Sequence, residues 1–219
     1  MKRILFTALL TSAMLFSAFA QEQGVTITPN TNTYTVTPPQ MVPMPAQRGI
    51  GSSPLGISII QPVQFPPQEW DVEGIRLNIL AGQHHNTAFI DLGVLANFTD
   101  GDMNGAQIAG LWNDVSGFAT GIQIAGIVNR NSGPTAGIQI ACFNYNNSDT
   151  HAIQIGLFNT TGETEGLQIG IFNQTESMSG LQIGVFNLTT YMNGIQIGLC
   201  NVIRNSTVPV FIGLNMCFY

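Results

Sequence analysis

The sequence predicts an all-β fold of about ten short strands that repeat with a period of 14 to 16 residues. Two nearly identical units, GLQIGIFNQTESMS and GLQIGVFNLTTYMN, cover residues 166–193. Within the second unit, Leu181 and Ile183 fall on one face and Gln182 on the other. This alternation is typical of a half-buried strand. No amphipathic helical pattern follows residue 20, so we expect strands to be the only regular structure of the exported chain.

The N-terminus has the pattern of a secretory signal peptide. Lys2 and Arg3 precede an apolar run, and Ala18-Phe19-Ala20 forms an A-x-A cleavage site. We therefore predict that residues 1–20 are removed and that the exported chain begins at Gln21. Without Lys2 and Arg3 the chain has no lysine and is strongly acidic. This balance excludes a basic face for nucleic acid or for anionic lipid.

The next segment, residues 21–54, is rich in Thr, Pro and Gln. Such a composition cannot bury enough apolar surface to offset the entropy of ordering, and it predicts a disordered tether. The first strand-like run is Leu55–Phe65, which is interrupted by Pro62 and is followed by Pro66-Pro67. Prolines in these positions predict a strand at a sheet edge. We assign residues 55–219 to a single β-repeat domain.

One position recurs in every copy of the repeat, and we expect it to form a polar ladder with a structural role. Most of its occupants are glutamine, while the first two are Arg76 and Asp91, for which we expect an ion pair between adjacent strands. Phe211, in VFIGLN, is expected to hold this position in a tenth, terminal copy. The ladder positions are Arg76, Asp91, Gln107, Gln123, Gln139, Gln154, Gln168, Gln182 and Gln196.

The apolar face of the repeat must be removed from water, and two architectures can do this. In an antiparallel meander closed as a barrel, the Gln positions line the interior and the apolar face points outward to lipid. In a parallel β-solenoid, the apolar face points into a narrow core and the Gln and Asn ladders stack on the outside. We favour the barrel because the segments between strands have the composition of turns and because the last strand ends in Phe218-Tyr219. The solenoid is the alternative.

Candidate catalytic and metal-binding residues are few. His84-His85 lies in a loop without further ligands nearby in the sequence, and a solvated turn is expected there. Asp100 and Asp102 flank a glycine as in a calcium loop, but the required glutamate and ligand spacing are missing. The sequence has neither a G-x-S-x-G elbow nor a phosphate-binding glycine loop. We therefore expect no catalytic residue, no metal site and no cofactor.

Two other residue types recur in the repeats. The cysteines at 142, 200 and 217 are expected to be small apolar residues of strands rather than a disulfide framework. A stripe of phenylalanines could stack against sugars, but we expect these side chains to pack in the interior over the glycines. The stripe consists of Phe143, Phe158, Phe172 and Phe186.

The recurring unit G-[LI]-Q-I-G-[LVI]-F-N, preceded by GIRLNILAG and IDLGVLANFTDG, resembles the units of a bacterial family of exported surface-repeat proteins. The resemblance extends over residues 65–219. It implies a location at the cell surface or in the outer membrane, and it implies no assigned chemistry or catalytic residues.

These observations predict a non-enzymatic structural or interaction protein in the outer membrane or on the surface of a bacterial cell. Its partners would be components of that surface, and a homo-oligomer is one way to cap its edge strands. The alternative is a secreted β-solenoid that binds a partner or a glycan through its outer residue ladder. The two hypotheses differ in strand direction, which is antiparallel in the barrel and parallel in the solenoid.

Overall fold

The computed structural model describes residues 48–218, and these residues form a parallel β-solenoid. The expectation of an all-β repeat protein is confirmed, since every regular element in this range is a strand. The closed antiparallel barrel is wrong, because successive strands of each stack run in the same direction. The predicted signal peptide and most of the predicted tether lie outside the described residues. Nowhere between residues 48 and 218 is there a helix of the length and hydropathy needed to cross a membrane.

The solenoid is built from strands that alternate between two stacks. β14 is very long because its backbone stays hydrogen-bonded to neighbouring coils around the bends. The strands are β1 (Ser52–Ile60), β2 (Val63–Phe65), β3 (Asp71–Asn78), β4 (Ala81–His84), β5 (Thr87–Gly93), β6 (Ala96–Thr99), β7 (Met103–Ala109), β8 (Trp112–Val115), β9 (Ala119–Ala125), β10 (Val128–Asn131), β11 (Thr135–Ile140), β12 (Phe143–Asn146), β13 (Thr150–Ile155), β14 (Phe158–Ile203) and β15 (Val210–Cys217).

Each coil contributes one strand to each stack. The first stack runs through β1, β3, β5, β7, β9, β11 and β13 into β14, and the second runs from β4 through β6, β8, β10 and β12 into β14. The register places identical residues above one another. Gln139 lies between Gln123 and Gln154 in the first stack, and Asn144 lies between Asn129 and Asn159 in the second. The two stacks therefore enclose a thin interior lined by aligned amide side chains.

A glycine two residues before the ladder position lets the coils approach closely. Gly180 has a φ of +137°, and a Cβ at this residue would lie 2.1 Å from the carbonyl oxygen of Gly166. An L-residue is strained at that φ and would also collide with backbone of the preceding coil. Glycine is thus required at Gly180, whereas the coils that hold Phe89 and Ala152 at the equivalent position dispense with it.

The ends of the solenoid depart from the parallel pattern. β2 pairs antiparallel with β1 at the first coil, and β15 pairs antiparallel with β14 at the last. The expected tenth copy is wrong: Phe211 lies opposite Asn201, whereas Asn215 lies opposite Gln196. β15 is a reversed strand that covers the last coil, and it does not add another coil.

Candidate interaction surface

The ladder glutamines are buried inside the solenoid and bind one another from coil to coil. The side-chain Nε2 of Gln168 donates to Oε1 of Gln154 at 2.7 Å, and Gln182 donates to Gln168 at the same distance. Gln196 continues the series by donating to Gln182 at 2.7 Å. Every ladder amide in this series points its N–H groups toward the N-terminal coils. The ladder therefore faces inward, and the outer ladder of the solenoid alternative is wrong.

Asparagines of the second stack form another ladder, in which each amide donates toward the C-terminal coils. Nδ2 of Asn173 donates to Oδ1 of Asn187 at 2.8 Å, and Asn187 donates to Asn201 at 2.8 Å. The second hydrogen of Asn173 reaches the carbonyl oxygen of Ile183 at 3.0 Å. Buried amides need all of these partners, because an unmade buried hydrogen bond is costly. The interior satisfies them by stacking identical side chains.

A charged group ends the glutamine ladder at the N-terminal coils. Gln107 donates to Oδ2 of Asp91 at 3.0 Å, and Asp91 forms a buried ion pair with Arg76 of the adjacent strand. Arg76 also lies 3.1 Å from Nδ1 of His84, whose Nε2 lies 3.1 Å from the carbonyl oxygen of Pro66. Burial, and then the Arg76 charge, lower the pKa of His84 to about 4. His84 is therefore neutral at pH 7, accepting from Arg76 and donating to Pro66.

Because the amides occupy the interior, the apolar side chains of the repeat point outward. They lie on the outer face of the first stack, as at Ile122 and Ile153, which are 42% and 38% exposed. They also lie along one edge of the solenoid, where each coil bends from the first stack to the second, and we call this the apolar edge. Its segments contain no charged residue in any coil. The segments are 77–80, 92–95, 108–112, 124–128, 140–143, 155–158, 169–172, 183–186 and 197–200.

The side chains of the apolar edge are open to solvent. Leu157 is 45% exposed and Ile171 is 48% exposed. With about 4.8 Å between coils, the edge extends for about 40 Å. The exposed apolar side chains on an ordinary soluble surface are scattered, whereas these form one continuous ridge. Continuous apolar patches of this size are typical of interaction sites.

Phenylalanines run beside this edge on the outer face of the second stack. The rings of Phe143 and Phe158 are parallel with centroids 5.0 Å apart, and those of Phe158 and Phe172 are tilted with centroids 6.3 Å apart. The expectation that these side chains pack in the interior is wrong. Phe143 and Phe186 are exposed, while Phe158 and Phe172 are half-buried.

The opposite edge is acidic in some coils, and the turns of other coils there, such as residues 116–118 and 132–134, are uncharged. Asp149, Glu163 and Glu176 lie in the turns that lead from the second stack back to the first. Partial burial first, then the nearby charges of Asp149 and Glu176, raise the pKa of Glu163. His151 pairs with Glu165 at 2.9 Å near the same edge. The solenoid thus has an uncharged edge opposite one that is acidic in some coils.

The solvated turn expected at His84-His85 is wrong for His84, which is the last residue of β4 and is fully buried against Arg76. His85 lies in the turn that follows, with Nδ1 3.3 Å from Oδ1 of Asp71. Asp100 accepts hydrogen bonds from two glutamine side chains, and Asp102 accepts from the backbone N–H of a neighbouring turn. Within residues 48–218, no three His, Cys, Asp or Glu side chains gather as metal ligands would. The three cysteines are half-buried and are not in disulfides.

Comparison of the chain with protein-family models, with curated proteins and with solved structures gives no match. The apolar edge is the feature that sequence reasoning missed as a site. Its signal is present in the sequence, because the segment that follows each ladder position is uncharged in every copy while the other turns are polar.

Proposed function

We propose that this chain is a non-enzymatic protein of the bacterial envelope that attaches to a lipid surface through its apolar edge. The observation that carries the proposal is the distribution of charge: the bends of the apolar edge are uncharged in every coil, whereas charged residues occur in several turns of the opposite edge and on both stacks. Predicted export by a signal peptide and the resemblance to exported surface-repeat proteins support the same location.

The dimensions of a coil favour insertion into the interface of a bilayer. A first-stack strand such as β11 (Thr135–Ile140) has six residues, which corresponds to about 20 Å of extended chain. The hydrocarbon core of a bilayer is about 30 Å thick. A coil of this size therefore fits at the surface, with its apolar edge in the acyl boundary and its opposite edge in water.

The energy available from the edge is sufficient for such attachment. Complete burial of a Leu, Ile or Phe side chain contributes about 1.5–3 kcal/mol, so a half-exposed one contributes roughly 1 kcal/mol on insertion. Leu157 and Ile171 each have this degree of exposure, and other bends present similar side chains. Their contributions act together because the coils form one rigid stack. A few such coils together match the binding of a single acyl chain.

Glycan binding through the aromatic column is less well supported. Sugars stack on the faces of aromatic rings, but the rings of Phe143 and Phe158 cover each other's faces. The edges of the rings are what the outer surface presents. An edge-on column of this kind provides apolar area for lipid and little platform for a sugar.

Vesicle flotation tests the proposal with a matched pair of variants. Leu157→Glu with Ile171→Glu places two carboxylates on the apolar edge. Ser179→Glu with Asn193→Glu places the same charges at exposed sites equivalent to Glu165 in their own coils. We expect the wild-type chain and the second variant to float with phosphatidylcholine vesicles in 1 M NaCl, and the first variant to remain at the bottom. Circular dichroism verifies that both variants are folded.

Two outcomes would contradict the proposal. Flotation of the Leu157→Glu and Ile171→Glu variant at the wild-type level would show that lipid is bound elsewhere. Absence of the wild-type chain from the vesicle fraction would show that the apolar edge has no affinity for a bilayer.

A further inference from the structure

The N-terminal end of the solenoid is shielded in part from further strand pairing. β2 covers β1, and the flanking Pro62, Pro66 and Pro67 lack backbone N–H groups. The side chain of Gln64 covers the second stack, because its Nε2 donates to the carbonyl oxygen of Gln83 at 2.6 Å and its Oε1 accepts from the N–H of Gln83 at 3.3 Å. Within residues 48–218, β2 covers the Ile57–Ile60 part of β1, and Gln64 satisfies Gln83 of the second stack.

The C-terminal end is open along β15. Within residues 48–218, β15 has β14 as its one strand partner, so its other edge has none. The sequence from 208 to 218 contains no charged residue, and Ile212 is 77% exposed. Natural edge strands are protected by charged side chains, prolines or bulges. β15 has Pro209 at its start and a register shift in its pairing with β14 between Gly198 and Asn201, but it has no charged side chain.

The interior is also unpaired at this end. Since the ladder glutamines donate toward the N-terminal coils, the last of them, Gln196, keeps a buried Oε1 that has no donor among the described residues. Nδ2 of Asn215, which lies opposite Gln196 on β15, is likewise buried without an acceptor in this part of the chain. An unmade buried hydrogen bond is costly. A strand placed against β15 brings new polar groups to these atoms.

We propose that β15 is an interface between two copies of this chain, which pair antiparallel through their β15 strands and form an end-to-end dimer. An antiparallel pair of identical strands has a two-fold axis, so both copies use the same surface. Each copy uses its β15 edge in the two-fold interface, so assembly through this strand stops at two. Ile212, which lies near Leu199 at the last bend, then joins the two apolar edges into one. The inference stands on the strand edge and does not depend on lipid binding.

Two measurements on the chain in mild detergent test the dimer. Light scattering after size exclusion should give the mass of two chains. Spin labels are then attached to Thr207→Cys or Glu69→Cys in a variant whose three native cysteines are serine. We expect a defined distance between the two labels at position 207, near the open end, and none at position 69, near the N-terminal end. A monomeric mass, or a short distance at position 69, would overturn the proposal.

Lysine substitutions on β15 test the same interface by mutation. Ile212→Lys with Leu214→Lys puts like charges close to each other across the two-fold axis, and both side chains are exposed, so the coil itself should stay folded. Leu55→Lys with Ile57→Lys is the control, since these side chains on β1 are 61% and 57% exposed. We expect the dimer dissociation constant to rise at least tenfold for the β15 variant alone. Equal dimerisation of both variants would refute the interface.

The lipid-binding proposal and the dimer proposal can be refuted independently. The variant with glutamates at positions 157 and 171 should remain a dimer in detergent while losing vesicle binding. The β15 variant should become a monomer that still binds vesicles. Loss of dimerisation by the first variant would place the interface on the apolar edge and contradict the end-to-end arrangement.

Discussion

Replacing Gln168 with leucine tests whether amide hydrogen bonds hold the interior together. Nε2 of Gln168 donates to Gln154 at 2.7 Å, and its Oε1 accepts from Gln182 at 2.7 Å and from Oγ1 of Thr175 at 2.8 Å. Three buried hydrogen bonds contribute about 3 kcal/mol net, and the partner groups left unpaired add about 2 kcal/mol to the loss. Burial of the leucine offsets about 2 kcal/mol of it. We expect the variant to be less stable by about 3 kcal/mol.

The matched exchange is Ile171→Gln on the apolar edge. Ile171 is 48% exposed, so a glutamine there keeps its amide in water and needs no partner. We expect a change of no more than about 0.5 kcal/mol, as for other surface substitutions. The two variants together invert the usual rule, because the apolar replacement inside destabilises and the polar replacement outside does not.

Urea unfolding followed by circular dichroism, at constant detergent concentration, measures both effects. Solenoids unfold in segments when coils are weakened, so the slope of the transition is compared along with its midpoint. An unchanged or higher midpoint for Gln168→Leu, together with a large loss for Ile171→Gln, would refute the reasoning. That result would mean that the interior holds apolar side chains and that the two faces have been exchanged.

Three further predictions concern single residues. Gly180→Ala should destabilise the chain by about 2 kcal/mol or more in the same urea assay, because its Cβ would collide with the preceding coil; Gly162→Ala, whose Cβ would have no neighbour closer than 3.6 Å, should be neutral. Lowering the pH from 6.5 to about 4 should remove up to about 3 kcal/mol of stability through His84, because in this range His84 is protonated in the unfolded chain but not in the folded chain. His84→Gln should flatten the dependence of stability on pH in this range. Glu163 has a raised pKa, so stability is lost as the pH rises above its unfolded value near 4.5; Glu163→Gln should melt at a higher temperature than wild type at pH 7 and at an equal temperature below pH 4.

The repeat period and the alignment of its copies were predictable from the sequence because they depend on local pattern. The structure pairs Arg76 with Asp91 and stacks the glutamines in the order of the alignment. Strand direction was not predictable in this way, since period-two alternation is the same in parallel and antiparallel sheets. Identical amides at the same position of every copy indicate that the strands are parallel. A glutamine is both donor and acceptor, so a column of them satisfies itself only when copies lie directly above one another.

The prediction that the phenylalanines point inward was wrong because it assumed that inward and outward side chains keep alternating through the bend. Gln182 and Phe186 share a face if the strand is straight, but the chain turns at Gly184 and Val185 and the phase shifts by one. Asn187, and not Phe186, then shares the interior with Gln182. The same shift exposes the uncharged bend of every coil. The sequence therefore showed that these segments are uncharged, but it did not show that they point outward.

An interior of amides suits a chain that we propose to lie against lipid. Apolar side chains gain little from burial when the surroundings are themselves apolar, whereas hydrogen bonds keep their value away from water. The glutamine ladder and the asparagine ladder point in opposite directions, so the dipoles of the two columns oppose each other along the axis. The Arg76–Asp91 pair ends the glutamine column with a carboxylate that accepts its last donor. The solenoid is thus held from within by contacts that do not require its outer surface to be in water.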